Sequence, residues 1–144
     1  MEKKKINSFT INFEAKSENE SFARAVASTF AAQLDPTVEE IADVRCAVSE
    51  GVTNAIIHGY KGVSDGVVQM IMILYDNRSM TIKIRDRGCG IADIEKCREP
   101  LYTSDPSGER GGMGFAVMEC FCDKVVVQSK VGEGTTVILH KHFD

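Results

Sequence analysis

The sequence has no long apolar run, since none of its stretches approaches the roughly 18 residues that a membrane-spanning helix needs. No apolar segment follows the basic start, so we expect neither a signal peptide nor a membrane helix, and we expect a cytosolic protein. An excess of basic residues is also absent, because the formal net charge of the chain is -4. Binding a phosphate backbone requires a basic footprint, so we do not expect nucleic acid as a direct partner.

Cysteines in a metal-binding or disulfide pattern are missing as well. The odd number of cysteines, without a CxxC pair, fits reduced thiols and predicts neither a zinc site nor a disulfide framework. They are Cys46, Cys89, Cys97, Cys120 and Cys122. No internal repeat or low-complexity segment divides the 144 residues, and 43% hydrophobic content suffices for one buried core. We therefore predict a single domain over residues 1–144.

What the sequence contains is a succession of helix and strand patterns. Phe9, Ile11 and Phe13 alternate with polar residues, as in a strand at the edge of a sheet. A helix is predicted from Ser17 to Leu34, because Ser17 and Glu20 have the spacing of a capping box. Its residues expected to face the core are Phe22, Val26 and Phe30.

The later chain predicts two hairpins with helical segments between them. The strands are expected at 66–75, 80–85, 124–130 and 135–142, short helices at 91–98 and 115–121, and a loop at 99–112. Hairpins with helices placed between them favour an α+β fold. We predict a two-layer sandwich in which a mixed, mostly antiparallel sheet carries helices on one face. A doubly wound parallel fold fits this order badly.

The segment Asp35–Tyr60 reads as one long helix, opened by a capping box of Thr37 and Glu40. Apolar residues recur along it at helical spacing, whereas Glu50, Asn54 and His58 follow one another four residues apart on a second face. A carboxylate and a carboxamide are thus stacked one turn apart. In a helix taken alone, two solvated polar residues explain this pattern better than a site does.

Two glycine-rich motifs follow. Asp86 stands directly after a predicted strand, and Gly88 and Gly90 behind it let a flat ring approach the backbone. The glycines before Phe115 open a helix, where unpaired N–H groups can meet phosphates. The dipeptide Thr135-Thr136 begins the last strand and offers hydroxyls near the same end. Each motif alone is explained equally well or better by an ordinary turn, loop or strand.

The ordered set of these motifs is more specific than any one of them, and with it the sequence resembles the Bergerat-fold ATP-binding superfamily, which includes histidine kinases and the gyrase ATPase domain. The segments SENESFARAV, LDPTVEEI, VSEGVTNAIIHGY, IRDRGCGI, GGMGFAVME and GTTVIL resemble the anti-sigma-factor serine kinases, in particular the anti-sigma-F factors of sporulation. The resemblance extends from Phe9 to about His142.

This resemblance implies that the protein binds ATP with Mg²⁺. It makes Asn54 the ligand of Mg²⁺, Asp86 the carboxylate that reads adenine, and Glu50 the general base. The remaining implied contacts belong to the nucleotide pocket and to an ATP lid at about 92–113. They are Gly88 and Gly90 at adenine, Gly112 and Gly114 at the phosphates, Arg110 at the terminal phosphate, and Thr135 with, secondarily, Thr136 on the adenine side.

The implied partners are a sporulation sigma factor, which the protein inhibits, and an anti-anti-sigma antagonist, which it phosphorylates on serine. The resemblance also implies a homodimer. Two alternatives stay open: a nucleotide-responsive binding module without kinase activity, and a general-stress anti-sigma kinase with other partners.

Arg24 is predicted to be a partner-binding anchor outside the ATP site. On the first helix it projects away from Phe22, Val26 and Phe30, so we expect it to be exposed. Its expected neighbours on that outward face are the small residues Ala27, Ser28 and Ala31. A solvated arginine with no partner is an equally good explanation from the residues alone.

Overall fold

The computed structural model describes residues 3–59, 66–87, 114–130 and 134–144. The helices are α1 at Glu18–Ala31, α2 at Val38–Asn54 and α3 at Gly114–Phe121, with a 3₁₀ turn at Ala32–Leu34 and a π-helical turn at Ala55–Gly59. The strands are β1 at Lys5–Glu14, β2 at Val67–Tyr75, β3 at Ser79–Asp86, β4 at Lys124–Lys130 and β5 at Gly134–His142. The helix predicted at 91–98 and the loop at 99–112 lie outside the described residues.

The five described strands form one sheet in the order β1-β2-β3-β5-β4, so β1 lies at an edge as predicted. All four described strand pairs are antiparallel, and no parallel pair of the expected mixed sheet occurs among them. Alternate residues of β2 and β3 are buried, such as Met70, Met72, Ile82 and Ile84, which marks the face that the helices cover. The predicted α+β class is confirmed.

The first helix differs from its prediction in two ways. Ser17 adopts helical backbone angles, φ -55° and ψ -33°, and its side chain makes no capping hydrogen bond, so the predicted capping box is wrong. The buried stripe consists of Ala23, Ala27 and Ala31, and Phe22 is 51% exposed. Small residues let α1 pack closely, and the larger Phe22 lies at the margin with its ring edge-on to Phe13.

The expectation for the other two apolar residues of α1 is confirmed. Val26 and Phe30 pack partly buried against the core. Phe30 meets Phe9 of β1 edge-to-face, with ring centroids 4.6 Å apart. The outward neighbours predicted for Arg24 are wrong in two of three positions, because Ala27 and Ala31 are fully buried.

The start of α2 confirms the second predicted capping box. The backbone N–H of Glu40 donates to Thr37 Oγ1 at 3.1 Å, and the N–H of Thr37 donates to Glu40 Oε1 at 2.9 Å. The backbone hydrogen bond from Thr37 is the main reason that the pKa of Glu40 is lowered. The helix begins at Val38 instead of Asp35, since Asp35 has a left-handed backbone with φ 57°.

Arg78 ties this region to the sheet from the turn between β2 and β3. Its guanidinium donates to the carbonyl oxygens of Leu34, at 3.2 Å, and Asp35, at 2.9 Å, and also to a backbone oxygen of Asp144. The N–H of Asp144 in turn donates to Glu40 Oε2 at 2.9 Å. The N-terminal end of α2 is therefore held by segments that lie far apart in the sequence.

Candidate functional site

Helix α2 places Glu50 and Asn54 one turn apart, as predicted, and both are half-buried. Val48 and Val52, which alternate with them along the helix, are fully buried in the core. Asn54 is the last α-helical residue, and the π-helical turn follows it directly. Such turns are frequent at functional sites. The side chain of His58 lies outside the described residues.

Gly51 brings α2 into contact with the sheet. A Cβ atom at this position would lie 2.5 Å from Ile84 Cδ1 of β3 and 3.6 Å from Met118 Sδ of α3. Ile84 and Met118 are both buried, so the three elements meet at this glycine. Sequence reasoning did not select Gly51, although a glycine in a helix interior is itself a signal of close packing.

Asp86 lies at the end of β3, two residues beyond Ile84 and therefore on the same face of the strand. Only 5% of it is exposed. A carboxylate this deeply buried requires hydrogen-bond or charge partners, and Asp86 has interactions of this kind. The predicted adenine-reading residue is thus a buried acceptor on the helix-covered face of the sheet.

Thr135 stands directly opposite Asp86 in the β3–β5 register and is 7% exposed. Residues opposite each other in an antiparallel pair share a face, so the structure brings these two predicted residues together. Thr136 is paired with Arg85 and lies on the other face of the sheet. The register therefore places Thr136 and Asp86 on opposite faces of the sheet.

Gly134 permits the close approach of β5 to the end of β3. Its φ is 113°, and an added Cβ would overlap the carbonyl oxygen of Asp86 and lie 2.7 Å from Cα of Arg87. Any other residue would push the two strands apart at the point where Asp86 and Thr135 meet. In the sequence, the signal for Gly134 was its place directly before Thr135-Thr136.

Ser129, on the outer strand β4, completes the polar row. It faces Thr135 in the register, with 2.8 Å between the two hydroxyl oxygens, and its hydroxyl donates to the Gly134 carbonyl oxygen at 3.1 Å. Sequence reasoning missed Ser129, because a single serine in a strand carries no local signal.

Other predicted residues are described only in part. Gly114 is the first residue of α3, at the helix end where phosphates were expected, and Met118 packs this helix near Gly51. Outside the described residues are Gly88, Gly90, Arg110 and Gly112. Within the described ranges, no group of three or more His, Cys, Asp and Glu residues is arranged to hold a metal ion.

A groove of about 400 Å³ runs along the outer side of α2 and connects Arg24 with Glu50. Its other lining residues are Val38, Ile41, Ala42, Arg45, Cys46 and Ser49. The side chain of Arg24 is 36% exposed, and its Nη1 lies 3.7 Å from Glu20 Oε1. The Nε atom of Arg24 is buried without a hydrogen-bond partner. Arg24 is therefore half-exposed instead of fully exposed, and it opens onto the same groove as the predicted catalytic carboxylate.

None of the helices in the described ranges is long and apolar enough to cross a membrane.

Comparison with known proteins gives consistent results. Residues 13–141 match the family of the histidine kinase-like ATPase domain. An anti-sigma F factor from Clostridium acetobutylicum is 56% identical over 137 residues, which cover 95% of this chain and 94% of that protein. Another anti-sigma F factor, from Geobacillus kaustophilus, is 51% identical over 137 residues, which cover 95% of this chain and 93% of that protein.

Among solved structures, the RsbU and RsbW domains of a Mycobacterium tuberculosis protein superpose with a TM-score of 0.69 at 22% identity. The match covers 96% of this chain and 33% of that longer one. At this identity the likeness concerns the fold alone.

Proposed function

Since the chain belongs to the histidine kinase-like ATPase family and, within it, to the anti-sigma F factors, we propose that it is an ATP-dependent anti-sigma factor and serine kinase. In this proposal it binds a sigma factor and phosphorylates a serine on the antagonist of that complex. The observation that carries the proposal is the buried pair of Asp86 and Thr135 at the end of the sheet, beside the helix α2 that presents Glu50 and Asn54.

In this proposal the adenine ring binds at the end of the sheet, and the phosphates bind at the helices. Asp86 accepts a hydrogen bond from the exocyclic amino group of adenine, and Thr135 lies next to it. The N-terminus of α3, with Gly114, offers N–H groups to the phosphates. Gly88, Gly90, Arg110 and Gly112 would complete the adenine pocket and the phosphate contacts.

The amide oxygen of Asn54 fits a magnesium site, because Mg²⁺ takes oxygen ligands and usually keeps several waters. Few protein ligands are then needed. The ion supplies neutralisation of negative charge on the phosphates. Asn54 would contribute one neutral oxygen ligand to the ion.

Glu50 is proposed as the general base. Its carboxylate takes the proton from the serine hydroxyl of the antagonist while the serine oxygen forms a bond to the γ-phosphorus. The bond between the γ-phosphorus and the β,γ-bridging oxygen breaks, and ADP leaves with that oxygen. The position of Glu50 at one end of an open groove gives a substrate protein access to it.

The groove supports the proposed role of Arg24 in partner binding. The Arg24 side chain is 36% exposed and its ion pair with Glu20 is long, so the exposed part of the guanidinium can meet a partner's carboxylate. Val38, which is 89% exposed at the same groove, offers apolar contact. We also propose that the protein acts as a homodimer, on the family likeness alone.

Incubating the purified protein with labelled ATP and a candidate antagonist tests the central claim. We expect the label to appear on a serine of the antagonist and to depend on Mg²⁺. Nucleotide-dependent sigma binding without any transfer would instead identify a binding module that lacks kinase activity. Co-purification from sporulating cells identifies the partner and separates a sigma factor of the F type from a general-stress one.

A further inference from the structure

The polar row at the sheet end includes Ser129, a hydroxyl to which the proposed nucleotide contacts assign no role. Ser129 lies one strand beyond Thr135 and is half-buried. Two contacts of its hydroxyl matter here: 3.1 Å to the carbonyl oxygen of Gly134 and 2.8 Å to Thr135 Oγ1. These contacts determine where the proton of Thr135 lies.

A serine hydroxyl has one proton to donate and two lone pairs to accept with. The carbonyl oxygen of Gly134 can only accept, so the proton in that contact belongs to Ser129. The contact between Ser129 and Thr135 is then a hydrogen bond only if Thr135 donates and Ser129 accepts. The proton of Thr135 therefore points toward β4, away from Asp86, and the lone pairs of its oxygen are left to face the site.

From this arrangement we propose that Ser129 is a positioning residue for nucleobase selection: it orients the Thr135 hydroxyl as a hydrogen-bond acceptor beside the acceptor Asp86. The proposal rests on the proposed ATP site. Two adjacent acceptors favour a ring edge that carries a donor, such as the 6-amino group of adenine. They disfavour a 6-carbonyl oxygen, which would face two acceptors without a proton between them.

The geometry assigns this role to Ser129 because its position is fixed by the backbone. Gly134, with its φ of 113°, brings the start of β5 against Asp86 and Arg87 and so keeps the row Asp86, Thr135, Ser129 in register. The oxygen that receives the proton of Ser129 belongs to this same glycine. The hydroxyl network and the backbone turn therefore reinforce each other.

The test is a titration of the full chain with ATP and with inosine triphosphate, which carries a carbonyl at position 6 in place of the amino group. We expect the wild type to prefer ATP. In Ser129→Ala the Thr135 hydroxyl can rotate and donate, so the ratio of ATP to inosine triphosphate affinity should fall about 5- to 10-fold, the effect of roughly one hydrogen bond. Ser129→Thr keeps the hydroxyl and should restore the ratio.

Two further variants guard against a purely structural effect. In a Thr135→Val background there is no hydroxyl to orient, so adding Ser129→Ala should leave the ratio unchanged. If Ser129→Ala does not fold, Ser129→Cys keeps a side chain of similar shape with a weaker donor and should give an intermediate ratio.

The outcomes separate the inference from the function on which it rests. An equal loss of affinity for both nucleotides, or a lowered melting temperature with an unchanged ratio, would reduce Ser129 to a structural residue. A wild type that binds neither nucleotide would overturn the proposed function and, with it, this inference.

Discussion

Gly51→Ala should push α2 away from the sheet and disturb the site without touching a ligand. The added Cβ would lie 2.5 Å from Ile84 Cδ1, whereas carbon atoms in contact are normally about 3.5–4.0 Å apart. A shift of about 1 Å is therefore needed. Ile84 is only 1% exposed and the fully buried Met118 lies close by, so the isoleucine has little room to turn aside.

Two opposing energies decide whether Gly51→Ala raises or lowers the free energy of unfolding. Alanine in a helix interior is favoured over glycine by about 1 kcal/mol. Overpacking a dense core costs about 1–3 kcal/mol. We expect a net loss of about 0–2 kcal/mol in the free energy of unfolding, which lowers the melting temperature of a domain of this size by at most several degrees. Glu50 and Asn54 move with α2, so phosphotransfer should fall by about 10-fold or more, since a misplacement of 1 Å can cost 100-fold.

Chemical denaturation and a single-turnover kinase assay measure the two effects. The matched control is Ile84→Val, which removes the atom that collides and alone costs about 0.5–1.5 kcal/mol. In the double variant the collision is gone, so stability should exceed the sum of the single effects and activity should partly return. A Gly51→Ala protein that is about 1 kcal/mol more stable, as propensity alone predicts, and fully active would refute the packing argument.

The remaining predictions concern the proposed binding and catalytic groups. Glu50→Gln should keep ATP affinity and slow single-turnover phosphotransfer about 10²–10⁴-fold, so an undiminished rate would exclude Glu50 as the base. Asp86→Asn should weaken ATP binding and blur the preference over GTP in calorimetry, because the amide adds a donor where an acceptor is wanted; unchanged values would place the adenine contact elsewhere. Arg24→Ala should cost about 2 kcal/mol or more in binding the sigma factor or the antagonist while nucleotide affinity stays near wild type. Glu20→Gln, which removes only its ion-pair partner, is the control, and unchanged affinity of Arg24→Ala for both proteins would make Arg24 an ordinary surface residue.

Local patterns in the sequence were sufficient to predict the five described strands and the three described α-helices, although not each of their ends. The capping box of Thr37 and Glu40 involves residues three apart, and the alternation of Phe9, Ile11 and Phe13 lies within one strand, so neighbours along the chain contain the whole signal. The positions of Glu50 and Asn54 on one helix followed in the same way. The spacing of residues along one helix can be read without knowledge of distant segments.

The choice between alternatives that are locally equal was made by tertiary packing. In α1 the larger set, Phe22, Val26 and Phe30, and the alanine stripe are both at helical spacing. Close packing against the core buries the alanines completely and leaves Phe22 half-exposed. Thr135 and Thr136 are the same residue type, so the sequence cannot distinguish them. Only the pairing of β5 with β3 places Thr135 beside Asp86.

The residues that complete the candidate site act through atoms of other strands and helices; they are Gly51, Gly134 and Ser129. For Gly51 the deciding neighbours are Ile84 and Met118, and for Gly134 the backbone of Asp86 and Arg87. Sequence alone therefore determined which chemical groups were present and on which elements they lie. Which of them meet was decided by the tertiary structure, because close packing acts between atoms that are neighbours in space and far apart along the chain.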